Sequence, residues 1–152
     1  MLVKSLYLLI AGILLAGIAW YFIPRSEFSV KSYTYKQTPQ EKLKLEIHFP
    51  HQWTAQDQRP IAVFFFGGAW ISGGIEHFRW QADYLARRGM LAARVDYRVD
   101  SRQGTLPNEA VADGRDAIRW LRENASRLGI DPDRVVAAGG SSGGHIAAST
   151  TV

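Results

Sequence analysis

A run of glycine and serine between an apolar segment and a helix-forming tail constrains this chain more than any other feature. Residues 138–148 read Ala-Gly-Gly-Ser-Ser-Gly-Gly-His-Ile-Ala-Ala, directly after the apolar residues 135–137. Residues 139–143 fit the pattern G-x-S-x-G, in which a sharp, strained turn lifts a serine out of the end of a strand. The glycines are needed because neighbouring backbone packs against the turn. The pattern predicts a strand, a turn and a helix, with Ser141 as a catalytic nucleophile.

Three other interpretations of this run compete with that prediction. Residues 140–144 form a second frame, which would make Ser142 the nucleophile; the resemblance described below favours Ser141. A flexible glycine–serine linker is disfavoured because apolar and helix-forming segments flank the run. A phosphate-binding loop is excluded because His145 and Ile146 stand where lysine and serine or threonine are required.

The apolar periodicity predicts an α/β fold. Residues 43–49 alternate as a half-buried strand does, whereas residues 61–66 are continuously apolar, as in a strand buried on both faces. Further strands are predicted at 28–35, 90–95 and 135–138, and helices at 76–88, 106–128 and from 142 onward. Strands that alternate with helices indicate a doubly wound, mostly parallel sheet with helices on both faces.

The amino-terminal segment predicts export. Residues 6–23 are an unbroken apolar run, and as a helix they would be about 27 Å long, just enough to cross a bilayer. We interpret residues 1–25 as an uncleaved signal anchor, with a cleaved signal peptide as the alternative. Residues 26–152 then form an exported but incomplete domain, which ends after the serine turn. It faces the periplasm or exterior on the membrane, or is secreted after cleavage.

Composition excludes several classes of function. The chain has 152 residues, a formal net charge of +4 and no cysteine, so disulfides and cysteine metal sites are absent. Its basic residues are scattered rather than gathered in a stripe with aromatic residues, so we expect no nucleic-acid partner. No metal or organic cofactor is implied.

A second glycine-rich segment follows the predicted central strand. Residues 64–70 read Phe-Phe-Phe-Gly-Gly-Ala-Trp. Acyl transfer places negative charge on a former carbonyl oxygen, which backbone amides must reach, and small residues permit that approach. An ordinary strand-to-loop turn is the alternative. Together with the G-x-S-x-G pattern downstream, this segment favours an oxyanion hole.

Four motifs in order resemble the hormone-sensitive-lipase-like and acetyl-xylan/feruloyl (BD-FAE-like) esterases of the α/β-hydrolase superfamily. The motifs run from the glycine pair after the third strand to the serine turn: residues 67–70 resemble H-G-G-G-(F/W), 96–98 match D-Y-R, 128–135 resemble G-I-D-P-D-R-I and 138–144 resemble A-G-D-S-A-G-G. The resemblance implies the N-terminal half of a doubly wound α/β-hydrolase sheet, preceded by the hydrophobic helix. It also implies a small-molecule or carbohydrate ester as substrate.

The resemblance implies the nucleophile Ser141 and oxyanion-hole amides from Gly68, Ala69 and Ser142. Phe66 replaces the histidine that orders the loop in the family. Ala69 replaces the third glycine, and a left-handed backbone there would cost about 1 kcal/mol or more. Gly140 replaces the aspartate of the serine turn.

The remaining triad groups are not identified in this sequence. In the α/β-hydrolase fold an aspartate or glutamate and then a histidine follow the serine, but residues 142–152 contain no carboxylate and only His145. We interpret His145 as a packing or capping residue. The other polar candidates are expected at the surface: His48, His51 and His77, with Asp113 and Asp116 on or near the solvated face of the long helix.

Two other functions compete with a serine ester hydrolase. One is a serine peptidase of the prolyl-oligopeptidase kind, which the segment at residues 67–70 disfavours. The other is a non-catalytic, membrane-anchored fragment. Without an acid and a base, the 152-residue chain alone is expected to be essentially inactive, because loss of triad partners costs about 10⁴-fold or more in kcat.

Overall fold

The computed structural model describes residues 28–150, which form an α/β fold with one mixed sheet. The strands are β1 (Ser29–Gln37), β2 (Lys42–Phe49), β3 (Arg59–Phe65), β4 (Leu91–Val95) and β5 (Ile130–Gly139). The helices are α1 (Arg79–Ala86), α2 (Asp100–Gln103), α3 (Pro107–Glu123), α4 (Ala125–Leu128) and α5 (Ser142–Ser149). The strands lie in the order β1-β2-β4-β3-β5.

The sheet combines an antiparallel start with a parallel remainder. β1 pairs with β2, and β2 with β4, in antiparallel fashion, whereas β3 pairs with β4 and with β5 in parallel. Parallel strands end at the same edge of a sheet, and connections between them need a crossover. The carboxyl ends of β3 and β5 therefore meet, and the loops that follow them lie side by side.

Helices cover both faces of the sheet, as predicted for a doubly wound fold. The core between the sheet and α3 is built from the alternating residues of the strands, among them Leu45, Val63 and Val95, each 1% exposed or less. Gly114 lets α3 approach α5 closely, since a Cβ there would lie 2.4 Å from Ile146 Cγ2. On the opposite face α1 packs against β4 and β2.

Two predicted helices differ from the structure for local reasons. The predicted helix at 76–88 begins only at Arg79, because Phe78 before it has a φ of +62°, outside the helical region. The predicted helix at 106–128 is interrupted at Asn124, whose side-chain amide donates to the carbonyl of Trp120 over 2.7 Å. Side chains that compete for backbone groups in this way often end helices.

β5 is longer than the predicted strand at 135–138 and lies at the edge of the sheet. Val136 is 55% exposed there, so this edge of the sheet is partly apolar at the surface. Within residues 28–150, no helix has the length and apolar character needed to cross a bilayer. The predicted hydrophobic helix at 6–23 and the boundary at residue 25 lie outside the described residues.

The prediction that Asp113 lies near the solvated face of the long helix is wrong. Asp113 is fully buried and accepts two hydrogen bonds from the Arg98 guanidinium, over 2.8 and 2.9 Å. Lys36 Nζ lies 2.6 Å from Asp113 and 2.7 Å from Asp116, which is half-buried. Burial of the Asp113 carboxylate is tolerated because two cations pair with it.

The prediction that His48 lies at the surface is also wrong, whereas His51 and His77 are exposed. His48 is fully buried between β2 and α1, where Arg94 Nε donates to His48 Nε2 over 3.1 Å. His48 Nδ1 faces Asp83 Oδ1 at 2.9 Å. Burial, and then the Arg94 charge, lower the pKa of His48 to about 4. The imidazole is therefore neutral at neutral pH.

The low pKa of His48 predicts a loss of stability in mild acid. Between pH 6.5 and about 4 the unfolded chain binds a proton at His48 that the folded chain does not, so stability falls as pH falls through this window. From pH 6.5 to 5 the loss is about 2 kcal/mol. Urea unfolding at both pH values measures it.

A histidine-to-glutamine pair provides the control for this measurement. His48→Gln removes the titrating group and should reduce the loss by about the same 2 kcal/mol. His51→Gln changes an exposed histidine and should leave the pH dependence as it is in the wild type. An unchanged pH dependence in His48→Gln would contradict the prediction.

Candidate active site

Ser141 occupies a sharp turn between β5 and α5. Its backbone has φ +53° and ψ −121°, a conformation that residues with a Cβ rarely adopt, and its side chain is exposed. Strain of this kind persists only where the surrounding structure enforces it, and it is concentrated at functional sites. The predicted junction of strand, turn and helix is therefore present, with the serine hydroxyl directed away from the core.

The surrounding glycines enforce this turn by close backbone contact. A Cβ on Gly139 would lie 2.4 Å from the backbone of Gly143, and one on Gly143 would lie 2.1 Å from the carbonyl oxygen of Phe65. Both distances are far shorter than any real carbon contact. The positions two before and two after Ser141 therefore admit glycine alone, as the G-x-S-x-G pattern predicts.

The second glycine-rich segment lies beside the Ser141 turn. A Cβ on Gly67 would lie 2.8 Å from the carbonyl oxygen of Gly140 and 3.4 Å from Ser141 Cβ. Gly68 follows with φ +148°, and Ala69 has φ +54°, so the left-handed backbone considered for Ala69 is present. The structure thus brings together the two segments that the sequence singled out.

The amides of Gly68 and Ala69 are available to a ligand. Within the described part of the chain they donate no hydrogen bond, whereas the Gly68 carbonyl accepts from the amides of Ile71 and Ser72, each over 3.0 Å. This turn orders the loop while leaving its first amides free. Free amides beside an exposed serine are suited to stabilise an oxyanion.

Ser142 contributes the start of α5 rather than a second exposed hydroxyl. It is the first residue of the helix, so its amide has no acceptor within the helix. Its side chain is only 3% exposed, whereas that of Ser141 is exposed. The geometry therefore favours Ser141 over Ser142 as the reactive hydroxyl.

Tyr97 holds the loop at the position where the family has a histidine. The Tyr97 hydroxyl donates to the carbonyl oxygen of Phe66 over 2.6 Å, and the two rings stack with centroids 3.9 Å apart. Burial raises the pKa of Tyr97 to about 12, so the hydroxyl keeps its proton and remains a donor. This loop-holding role of Tyr97 was not predicted from the sequence, in which Tyr97 served only as part of the D-Y-R motif.

The neighbours of Tyr97 are fixed by ion pairs. The Arg98 guanidinium binds buried Asp113, and Arg102 lies 2.7 Å from Asp96. Arg102 also donates to the Tyr97 carbonyl over 3.0 Å. The D-Y-R segment is thus held on both sides of its tyrosine, which keeps the phenol hydroxyl on Phe66.

The motif at residues 128–135 shapes the approach to β5. Gly129 adopts φ +62°, and its carbonyl accepts from the Arg59 amide over 2.7 Å. Asp131 then pairs with Arg134 over 2.6 Å. The Arg59 bond joins the start of β3 to the approach to β5, so these residues of the motif have a structural role.

No acid or base partner of Ser141 lies in residues 28–150. The Ser141 side chain makes no hydrogen bond within these residues, and the His145 ring instead meets the Trp70 ring edge-on, with centroids 5.4 Å apart. His48 is buried against α1 and faces Asp83, a half-buried residue of that helix. The same residues contain no group of three histidine or acidic side chains that could hold a metal ion.

Comparison with known proteins identifies the esterases to which this chain is similar. It is 31% identical over 146 residues to the probable isoprenylcysteine alpha-carbonyl methylesterase ICMEL1 of Arabidopsis thaliana, covering 96% of this chain and 29% of that protein. It is 37% identical over 111 residues to the carboxylesterase NlhH of Mycobacterium tuberculosis, covering 70% of this chain and 32% of that protein.

The structure is similar to that of the thermophilic esterase Est2 of Thermogutta terrifontis. The TM-score is 0.74 and the sequence identity 47%, covering 84% of this chain and 44% of the esterase. The chain therefore spans about a third of the curated relatives and less than half of the solved esterase.

A family model also matches the chain. The BD-FAE model matches residues 45–152, which include every segment of the candidate site from the loop at residue 67 to the turn at Ser141. The five-stranded sheet corresponds to part of an esterase fold. The chain belongs to the BD-FAE family of α/β-hydrolase esterases.

Proposed function

We propose that the protein hydrolyses small carboxylic esters and that Ser141 is its nucleophile. The observation that carries the proposal is the exposed serine on an enforced φ of +53°, beside a loop with free amides. Such a turn removes the hydroxyl from the sheet and presents it to a substrate. Homology to serine esterases supports the same chemistry.

The proposed reaction has two acyl-transfer steps. The Ser141 hydroxyl oxygen attacks the ester carbonyl carbon and gives its proton to a base, while the alcohol leaves with a proton. Water then attacks the acyl-serine and releases the carboxylic acid. In both steps the amides of Gly68, Ala69 and Ser142 are proposed to stabilise the oxyanion, and the N-terminus of α5 favours its charge.

The acid and the base are proposed to lie outside residues 28–152. A Ser-Asp-His mechanism needs a histidine within hydrogen-bond reach of the serine and a carboxylate that orients it. No such pair faces Ser141 in the described part of the chain. The 152-residue chain by itself is therefore expected to be essentially inactive.

A short acyl group is the proposed substrate feature. Est2 of T. terrifontis has been solved with butyrate bound, and the chain shares 46% of its residues over the matched region with that structure. Acetyl groups on carbohydrates are a substrate of this size. We propose carbohydrate esters as the finer class, because an exported enzyme would meet them outside the cell.

Removal of the Ser141 hydroxyl tests the proposal. The protein translated from its gene to its natural stop codon should turn over p-nitrophenyl acetate, and Ser141→Ala should lower kcat by about 10⁴-fold or more. Paraoxon, which phosphorylates Est2, should label Ser141, as seen by peptide mass spectrometry. Ser142→Ala is the control and should retain the label.

The non-catalytic alternative gives the opposite result in this experiment. Neither turnover nor a paraoxon adduct on Ser141 would then be observed, although the protein is folded. Turnover that survives in Ser141→Ala but is lost in Ser142→Ala would assign the nucleophile to the neighbouring serine.

Two glycines of the same loop test the proposed oxyanion hole. A Cβ at Gly68 would lie 2.1 Å from the Ser72 carbonyl oxygen, so Gly68→Ala must displace the loop, whereas a Cβ at Gly74 has no atom within 4 Å. Loss of one oxyanion donor costs about 10²–10³-fold in kcat. We expect that loss in Gly68→Ala and wild-type kcat in Gly74→Ala. Equal kcat values in folded variants would contradict the assignment.

We propose that residues 6–23 anchor the protein in the membrane, with the catalytic domain on the periplasmic or exterior side. Cleavage after Ala19 would leave a protein that starts Trp-Tyr-Phe-Ile, a poor start for a soluble protein, which favours an anchor over a cleaved signal peptide. After carbonate washing, we expect the protein to remain in the membrane fraction. A variant that lacks residues 1–25 should instead be released into the wash. Recovery of an intact, unprocessed protein in the wash would contradict the anchor.

A further inference from the structure

Arg94 is a buried arginine of β4 whose partners lie both within the sheet and outside it. It is the fourth of the five residues of β4, on the face covered by α1, and its side chain is only 3% exposed. Its neighbours along the strand, Ala93 and Val95, face the apolar core. Burial of a guanidinium is costly unless every donor has a partner, so the position of those partners matters.

The partners of Arg94 lie on two different parts of the fold. Within the sheet, Arg94 forms an ion pair with Glu46 on β2 and donates to His48 Nε2 over 3.1 Å. Outside the sheet, its Nη1 donates to the carbonyl oxygen of Ile75 over 2.5 Å. Glu76 Oε2 lies 3.6 Å from the same nitrogen. Arg94 therefore connects the sheet to the chain around Ile75.

Ile75 belongs to the segment that carries the candidate oxyanion amides. This segment, residues 67–78, begins with Gly67 against the Ser141 turn and ends at Phe78, whose ring stacks on Phe64 with centroids 5.4 Å apart. The Phe78 ring also lies 3.3 Å from the Cβ position of Gly140. Both ends of the segment thus pack against the two strands that meet at the site.

Between these ends the segment is tied to the rest of the fold on two sides. On one side the carbonyls of Trp70 and Ile71 accept from the amides of Asp100 and Ser101, each over 2.9 Å. On the other side lies the Ile75 bond to Arg94. The hydrogen bonds from Asp100 and Ser101 join backbone groups, so a side-chain substitution does not remove them. The hydrogen bond to the Ile75 carbonyl comes from the Arg94 side chain, so a substitution of Arg94 removes it.

We propose that Arg94 is a positioning residue for the reaction, which holds the segment 67–78 through the Ile75 carbonyl so that the Gly68 and Ala69 amides face Ser141. The inference rests on the proposed function. Charge-assisted hydrogen bonds are stronger than neutral ones, and in a buried site they define one position of the acceptor. The amides need a fixed position because they stabilise an oxyanion only when they lie within hydrogen-bond distance of it.

The expected signature is a fall in kcat with little change in KM. A loop that samples displaced positions binds the ester nearly as well but stabilises the oxyanion less. For Arg94→Met we expect a 10- to 100-fold loss of kcat, in the range of one weakened oxyanion donor. Arg94→Lys keeps one charged donor and should recover part of the loss.

A matched ion-pair variant separates positioning from stability. Arg59→Met removes an arginine that likewise forms an ion pair, with Asp57, and donates to a backbone carbonyl, that of Gly89. Arg59 is the first residue of β3, at the end of the strand opposite the segment 67–78. This substitution should lower the melting temperature and leave kcat as in the wild type. Should Arg94→Met fail to fold, the comparison is made with Arg94→Lys, which preserves the charge.

Amide hydrogen exchange gives a second readout that does not depend on turnover. In Arg94→Lys, exchange should rise in residues 67–78 and remain unchanged in the Ser141 turn and in β5. Wild-type kcat in both Arg94 variants, or wild-type exchange in the segment, would overturn the inference. Failure of the proposed function looks different: wild-type protein would lack Ser141-dependent turnover, while the exchange result would still test the Arg94 contact.

Discussion

The close approach of backbone at the carboxyl ends of β3 and β5 is the constraint on which the candidate site depends. A Cβ on Gly143 would lie 2.1 Å from the Phe65 carbonyl oxygen, and one on Gly67 would lie 2.8 Å from that of Gly140. The strands can end together only because these residues lack side chains. The same contact brings the loop after β3 beside Ser141 and holds the serine in its strained conformation. The contacts that let the two strands end together are therefore the same contacts that position the candidate site.

The loop after β3 is ordered here by an aromatic and polar arrangement instead of the family histidine. The Phe66 ring stacks on the Tyr97 ring, and the Phe66 carbonyl oxygen accepts a hydrogen bond from the Tyr97 hydroxyl. The same two residues therefore supply both apolar packing and a hydrogen bond that orients the loop. Ion pairs of Arg98 and Arg102 fix the backbone around Tyr97. Contacts from the end of the neighbouring strand β4 thus order the loop where the motif of the family has a histidine.

Most of the fold and the position of Ser141 could be predicted from the sequence, because both follow from local patterns. Alternating and continuous apolar runs predicted four of the strands near their observed bounds, whereas β5 begins at Ile130, before the predicted start at residue 135. Glycine spacing marked the turn. Burial of His48 and Asp113 could not be predicted in this way. Their partners, Arg94 and Arg98, lie on other strands or strand ends, so pairing of charges depends on tertiary structure. The late start of α1 likewise follows from one backbone angle, that of Phe78.

The parallel pairing of β3 with β5 also has a kinetic consequence. The β1–β2 hairpin closes over the short turn at Thr38, whereas Arg59 must find Ile130 across most of the described chain. Contacts distant in sequence must pay loop-closure entropy before they are rewarded, so pairing of this kind slows folding. The close backbone contacts that enforce the positive φ of Ser141 are made across the same ends of β3 and β5. The strain of the serine turn is therefore held only while these two strands stay paired, and opening of the pair would relax the turn as well.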